Sequence, residues 1–191
     1  AFADSLTFDS GTLVDNSTIT WSGGLYSNDQ ILTFNGAALE FGATSEAVAI
    51  TTGAGNDTVK VTTGANLVGV AGATGSTMTI STGAGNDTIE FGYGTLTNQT
   101  AGLVASVTAG AGVDTIKKTS GTNGTIHEVG VTKFVFADGD SVVGAYDTIT
   151  GYEEAGSDTG HHGDVLDIGT GATVGTSIGT TDFGSFKSHS L

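Results

Sequence analysis

The stretch at residues 79–92, TISTGAGNDTIEFG, decides the fold. Apolar residues recur at every second position on either side of its centre: Met78 and Ile80 before, Ile89 and Phe91 after. That is the period of a strand buried on one face. Between them Gly83, Gly85, Asn86 and Asp87 crowd into five residues, a composition that bends a chain. The same pattern stands at residues 49–62, AITTGAGNDTVKVT, and in altered form at 106–119, SVTAGAGVDTIKKT. Aligned on Asp57, Asp87 and Asp114, the repeats are 30 and then 27 residues apart, and their neighbours fall into columns. Val48, Met78 and Ala105 share one, and Ile50, Ile80 and Val107 the next. Thr58, Thr88 and Thr115 follow the turn, then Val59, Ile89 and Ile116.

A unit of this length holds two or three short strands and their turns, one coil of a parallel β-solenoid. TVKVT, NLVGVA and STMTIS are the candidate strands between Asp57 and Asp87, with TGA and GATG between them. Stacked coils lie about 4.8 Å apart, so column members become neighbours. Lys60, Glu90 and Lys117 occupy one outward column, where stacking sets opposite charges side by side. The ladder extends in both directions. GGLYSNDQILTF supplies Asp29, 28 residues before Asp57, although its upstream apolar residues slip out of register. FVFADGDSVVG supplies Asp138 and Asp140, and AYDTITGY supplies Asp147 in a further Asp-Thr-Ile. Lys118 stands where Val61 and Phe91 predict an inward apolar residue, so the ladder changes character there. The expected architecture is all-β: a right-handed parallel β-roll or β-helix of roughly five to six coils with its Gly-Asn-Asp turns stacked on one edge. It forms one domain over 1–191, with degenerate coils at 1–45, regular coils at 46–133, a closing segment at 134–170 and a tail or start of a further segment at 171–191.

Composition narrows the function. Five basic residues face twenty acidic ones, for a net charge of −15. This argues against nucleic acid and anionic membrane as partners and favours cations. The chain of 191 residues has no cysteine and no proline, so disulfides and thiolate metal sites are excluded. Glycine is abundant at 32 residues, yet mean hydropathy is slightly positive, unlike a disordered acidic tail. No apolar run approaches a membrane span. The opening AFADSLTFDSG lacks the basic and apolar regions of a signal peptide. The ending FGSFKSHSL reads as a break in a longer or processed chain.

The repeated turn admits two readings. Gly-Asn-Asp makes a good turn, with its aspartate capping backbone amides. Stacked in register, however, Asp57, Asp87 and Asp114 are like charges one strand spacing apart, an arrangement that a cation between the rungs relieves. Ca²⁺, which takes six to eight oxygens in flexible geometry, suits such a column.

The repeats TGAGNDTVK, TGAGNDTIE and AGAGVDTIK resemble the calcium-binding repeats-in-toxin (RTX) family, whose nonapeptide is Gly-Gly-x-Gly-x-Asp-x-apolar-x. Thr52, Thr82 and Ala109 replace the first glycine. The resemblance implies Ca²⁺ bound between coils by Asp57, Asp87 and Asp114 and by turn carbonyls. By position, the implied site residues are Thr52, Gly53, Gly55 and Asn56; Thr82, Gly83, Gly85 and Asn86; and Ala109, Gly110 and Gly112. Asp29, Asp138, Asp140 and Asp147 are further candidates. Family repeats run in tandem every nine residues, whereas this chain has one such turn per coil and an opposite edge without acids, which implies a single row of few ions. Residues 134–170 are similar to the segment closing the rolls of type I-secreted proteins, through Phe134, Phe136, Asp147, Ile149, Tyr152, Gly163, Asp164, Leu166, Asp167 and Ile168.

Other chemistry is sparse. His161 and His162 in DTGHHGD are adjacent in a glycine-rich loop, as solvated histidines are. His127-Glu128 has Val131 where a zinc-protease helix needs its second histidine. Glu153 and Glu154 make no catalytic pair, and the sequons at Asn16, Asn98 and Asn123 are expected by chance in so threonine-rich a chain. Trp21 and Tyr26 suit burial against the N-terminal coil or stacking on a sugar. The expectation is a non-enzymatic, Ca²⁺-dependent structural module of a secreted bacterial cell-surface protein: surface layer, matrix or adhesin. Its partners are copies of itself or surface polysaccharide. The alternatives are the C-terminal roll of a type I-secreted protease or lipase, and a polysaccharide-degrading β-helix, whose acids would cluster on one sheet face.

Overall fold

The computed structural model describes residues 4–8, 18–34, 47–62, 77–92, 104–119, 131–137, 139–142, 144–152 and 164–168. They form twelve strands and no helix: β1 (Asp4–Phe8), β2 (Thr18–Ser22), β3 (Gln30–Phe34), β4 (Ala47–Thr51), β5 (Thr58–Thr62), β6 (Thr77–Ser81), β7 (Thr88–Gly92), β8 (Val104–Thr108), β9 (Thr115–Thr119), β10 (Val131–Phe136), β11 (Thr148–Thr150) and β12 (Val165–Ile168). The odd strands make one six-stranded sheet in chain order, and the even strands make the other. All pairings between named strands are parallel. The chain is therefore a parallel β-roll, passing from one sheet to the other at each turn. Two of the three strands expected between Asp57 and Asp87 are β5 and β6; NLVGVA lies outside the described residues.

The register reproduces the sequence columns. Val48 pairs with Met78 and Met78 with Ala105; Ile50 pairs with Ile80 and Ile80 with Val107. On the facing sheet Leu32, Val59, Ile89 and Ile116 stack in line. These side chains are at most 1 % exposed and form one core between the sheets. β-Branched residues at alternate positions serve twice here, favouring the extended backbone and filling the inward face. Phe91 and Phe134 cross-link the layers at a ring separation of 6.4 Å. Outside, Glu90 is bridged by Lys60 and Lys117, each at 3.3 Å, as the outward column predicts. All three are partly exposed, so each bridge contributes well under about 1 kcal/mol.

Turn length is constant in the middle of the roll and grows at its ends. Residues 52–56, 82–86 and 109–113 each separate paired strand ends from an aspartate. Between β2 and β3 the corresponding segment is 23–29, two residues longer. That extra length explains why the apolar residues upstream of Asp29 fall out of register in the sequence. Trp21 packs against the core at the N-terminal end, while Tyr26 is exposed. Lys118 does point inward, in register with Phe91, and is buried.

Candidate metal centre

The constant turns place Asp57, Asp87 and Asp114 in a row along one edge of the roll, each no more than 2 % exposed. Every carboxylate reaches back one rung. Asp57 Oδ1 accepts the Gln30 N–H at 2.7 Å, Asp87 Oδ1 that of Asp57 at 2.7 Å, and Asp114 Oδ1 that of Asp87 at 2.7 Å. Asp147 extends the file by accepting the Asp114 N–H at 2.8 Å. The second oxygen of Asp57 takes the Gly53 N–H at 3.2 Å. The second oxygens of Asp87, Asp114 and Asp147 are buried and accept no hydrogen bond from the protein. Burial raises the Asp87 carboxyl to about 6; the Asp57 amide and then the Thr82 hydroxyl, which is bonded to the Ala109 carbonyl but lies nearby, oppose the rise, and the charges of Asp114 and Asp57 add to it. Burial likewise raises Asp114 to about 6, opposed by the Asp87 amide and reinforced by Asp147 and Asp140. Asp147 is raised for the same first reason, with Asp140 contributing.

A second ladder runs beside the first in the opposite sense. Asp29 Oδ1 accepts the Asn56 N–H at 2.9 Å, Asn56 Oδ1 the Asn86 N–H at 2.8 Å, and Asn86 Oδ1 the Val113 N–H at 3.0 Å. A third, of hydroxyls, explains the threonines that stand in place of a first glycine. Thr52 Oγ1 donates to the Thr82 carbonyl and Thr82 Oγ1 to that of Ala109, both at 2.9 Å and buried. The carbonyls of Gly53 and Gly83 accept the amides of Ala84 and Ala111. Several of the turn carbonyls expected to face a cation are thus engaged between rungs. The glycines serve the stacking directly. Gly85 and Gly112 have φ of +136° and +153°, and a Cβ on either would lie 2.1 or 1.7 Å from the carbonyl oxygen of the glycine one rung earlier. Only a residue without Cβ lets successive turns approach this closely.

The sequence-expected residues separate into groups. Asp57, Asp87 and Asp114 stack as expected, with Asn56 and Asn86 alongside in their own ladder. Asp147 joins the file across a turn lengthened relative to the central ones. Asp29 does not stand in the aspartate column: Ile31 pairs with Thr58, which sets Gln30 opposite Asp57 and Asp29 opposite Asn56. Gln30 interrupts the column of aspartates, turning its buried side chain to the Gly23 carbonyl and the Trp21 indole N–H, each at 3.2 Å. Asp4 occupies the same column one rung earlier, opposite Gln30, and no spacing in the sequence marks it. Asp140 lies beside the file, with Oδ2 accepting the Ala137 N–H at 2.7 Å and its carbonyl accepting the Gly112 N–H. Asp138, His127, Glu128, Glu153, Glu154, His161, His162, the sequons and the opposite edge all lie outside the described residues.

The donor chemistry fits a hard cation in part. Three desolvated carboxylate oxygens without protein donors are what such an ion neutralises. Among the described residues, no three acidic or histidine side chains converge on one point. An ion on this edge would therefore draw on one or two carboxylates, with carbonyls and water supplying the rest. Such sparse charge belongs to the weak end of Ca²⁺ affinities, about 10⁻⁴–10⁻³ M. Comparison of the chain with models of known protein families, with curated proteins and with solved structures finds no match to any of them.

Proposed function

We propose that this chain is a structural module of a secreted bacterial cell-surface protein, consolidated by Ca²⁺ along its aspartate edge and assembling with further copies of itself. The observation that carries the reading is the file of buried, donor-less oxygens on Asp87, Asp114 and Asp147. At neutral pH these carboxylates either ionise against the cost of burial or hold a proton, and neither suits an edge that stacks them rung upon rung. Bound Ca²⁺ would supply the missing positive charge. The second oxygens of Asp87, Asp114 and Asp147 would hold such ions, one or two carboxylates to each, while their first oxygens keep the inter-rung amide bonds. Folding and binding are then linked: where Ca²⁺ is scarce the −15 chain repels itself, and where it is plentiful the apolar columns pack.

The hydrogen-bond ladders favour a second reading, a roll that stands without metal and uses its aspartates as amide caps. Circular dichroism and calorimetry during a Ca²⁺ titration separate the two. The proposal requires saturable Ca²⁺ binding and a stability that falls on chelation. A roll with the same unfolding midpoint in Ca²⁺ and in chelator overturns it.

A further inference from the structure

Lys118 and Asp164 form a pair that the aspartate edge does not use. Lys118 enters the core from β9 in the column of Phe91. Asp164 enters from the opposite sheet, at the residue before β12, in register with the buried Thr132. The Lys118 ammonium donates to both Asp164 oxygens at 3.0 Å, with the two side chains 1 % and 0 % exposed. The Thr132 N–H donates to Asp164 Oδ1 at 3.2 Å, and the Tyr152 hydroxyl donates to the Asp164 carbonyl at 3.0 Å. The Tyr152 ring lies 6.1 Å from that of the buried Phe134, so Tyr152 ties the Asp164 backbone to the core. The same two strands, β10 and β12, carry an exposed pair as well, Lys133 with Asp167.

A buried ammonium placed in an apolar column is costly unless a carboxylate meets it, and replacing both partners with apolar groups costs little. An apolar residue at position 118 would have continued the Phe91 column at no such cost. We propose that Lys118 and Asp164 act as a latch. Lys118 makes the C-terminal end of the roll conditional on a carboxylate that arrives 46 residues later in the chain, so that β9, β10 and β12 close together or not at all. The core before Lys118 is built from apolar columns and needs no such partner. The C-terminal rungs are consequently the last part of the roll to close and the first to open, and the latch works independently of any cation on the aspartate edge.

The test is a double-substitution cycle in the full chain, read by urea unfolding and by amide hydrogen exchange. Asp164→Asn should speed exchange across β10 and β12 by about a hundredfold or more, the penalty for breaking one side of a buried pair. Asp167→Asn, which breaks the exposed pair on the same strands, should change exchange by less than about fivefold. Lys118→Met combined with Asp164→Asn, whose amide oxygen can still accept the Thr132 N–H, should return protection to within about tenfold of the parent. If Asp164→Asn does not fold at all, recovery of a folded roll in the combined variant supports the latch. Additive effects of Lys118→Met and Asp164→Asn measured singly and together, equal effects of Asp164→Asn and Asp167→Asn, or failure of the combined variant to recover overturns it.

Discussion

Replacing Asp87 with asparagine separates the two roles of the aspartate edge, because the amide keeps one and discards the other. The substituted side chain would retain an oxygen to accept the Asp57 N–H, now a 2.7 Å bond. It would lose the charge that burial opposes. The carboxyl is raised from 3.8 to about 6, and at about 1.4 kcal/mol per unit this corresponds to at most about 3 kcal/mol of destabilisation when ionised at neutral pH. The new NH₂ replaces an oxygen that has no partner and offsets part of that gain, by about 1–3 kcal/mol if its hydrogens stay unpaired. In chelator, Asp87→Asn should therefore lie between parity with the parent and about 2 kcal/mol above it. In Ca²⁺ at a hundred times its dissociation constant, the parent gains about 2.7 kcal/mol that the variant forgoes, and the order reverses. Urea unfolding followed by circular dichroism, with and without Ca²⁺, measures both differences. An equal penalty under both conditions refutes the cation. A loss above about 3 kcal/mol in chelator refutes the claim that ionised Asp87 is a burden.

Two further outcomes are expected. Without Ca²⁺, Asp87 and Asp114 bind protons more tightly folded than unfolded, so their contribution to stability should be greatest below about pH 4 and fall as pH rises through about 6, then level off; urea midpoints across that range in chelator check the sign. Gly110→Ala should lower stability by more than about 3 kcal/mol, since φ is +92° and the new Cβ would meet the Gly83 carbonyl oxygen at 1.8 Å, whereas Gly139→Ala, at φ +91° in open space, should cost only about 1 kcal/mol; thermal melts of the pair isolate stacking from backbone preference.

The roll is legible in the sequence wherever local patterning and register coincide. Met78, Ile80, Ile89 and Phe91 alternate about a turn of fixed length, so aligning the aspartates aligns the strands as well. Asp29 is misleading because its residue type matches the aspartates while its register does not. Matching Leu32 and Phe34 to Val59 and Val61 instead sets Gln30 opposite Asp57. The threonine ladder is hidden because a hydroxyl bonded to the next rung's carbonyl leaves no period of its own. The pairing of Lys118 with Asp164 cannot be read at all: it joins different sheets, and its only local trace is one lysine in an apolar column. Whether carboxylate oxygens lack donors is a property of the packed turn, which spacing does not encode.

The equal turns have a consequence for how such a chain changes in length. The 30- and 27-residue spacings between aspartates differ, yet residues 52–56, 82–86 and 109–113 span the same gap, each closed by an aspartate that accepts an amide of the rung before. The difference falls wholly on residues 63–76, which lead from β5 to β6, against 93–103, which lead from β7 to β8. The aspartate edge is thus the molecule's ruler. Length changes in those connecting segments leave it in step, and removing one whole coil, from Thr58 through Asp87, would join Asp57 to Thr88 with every ladder still aligned.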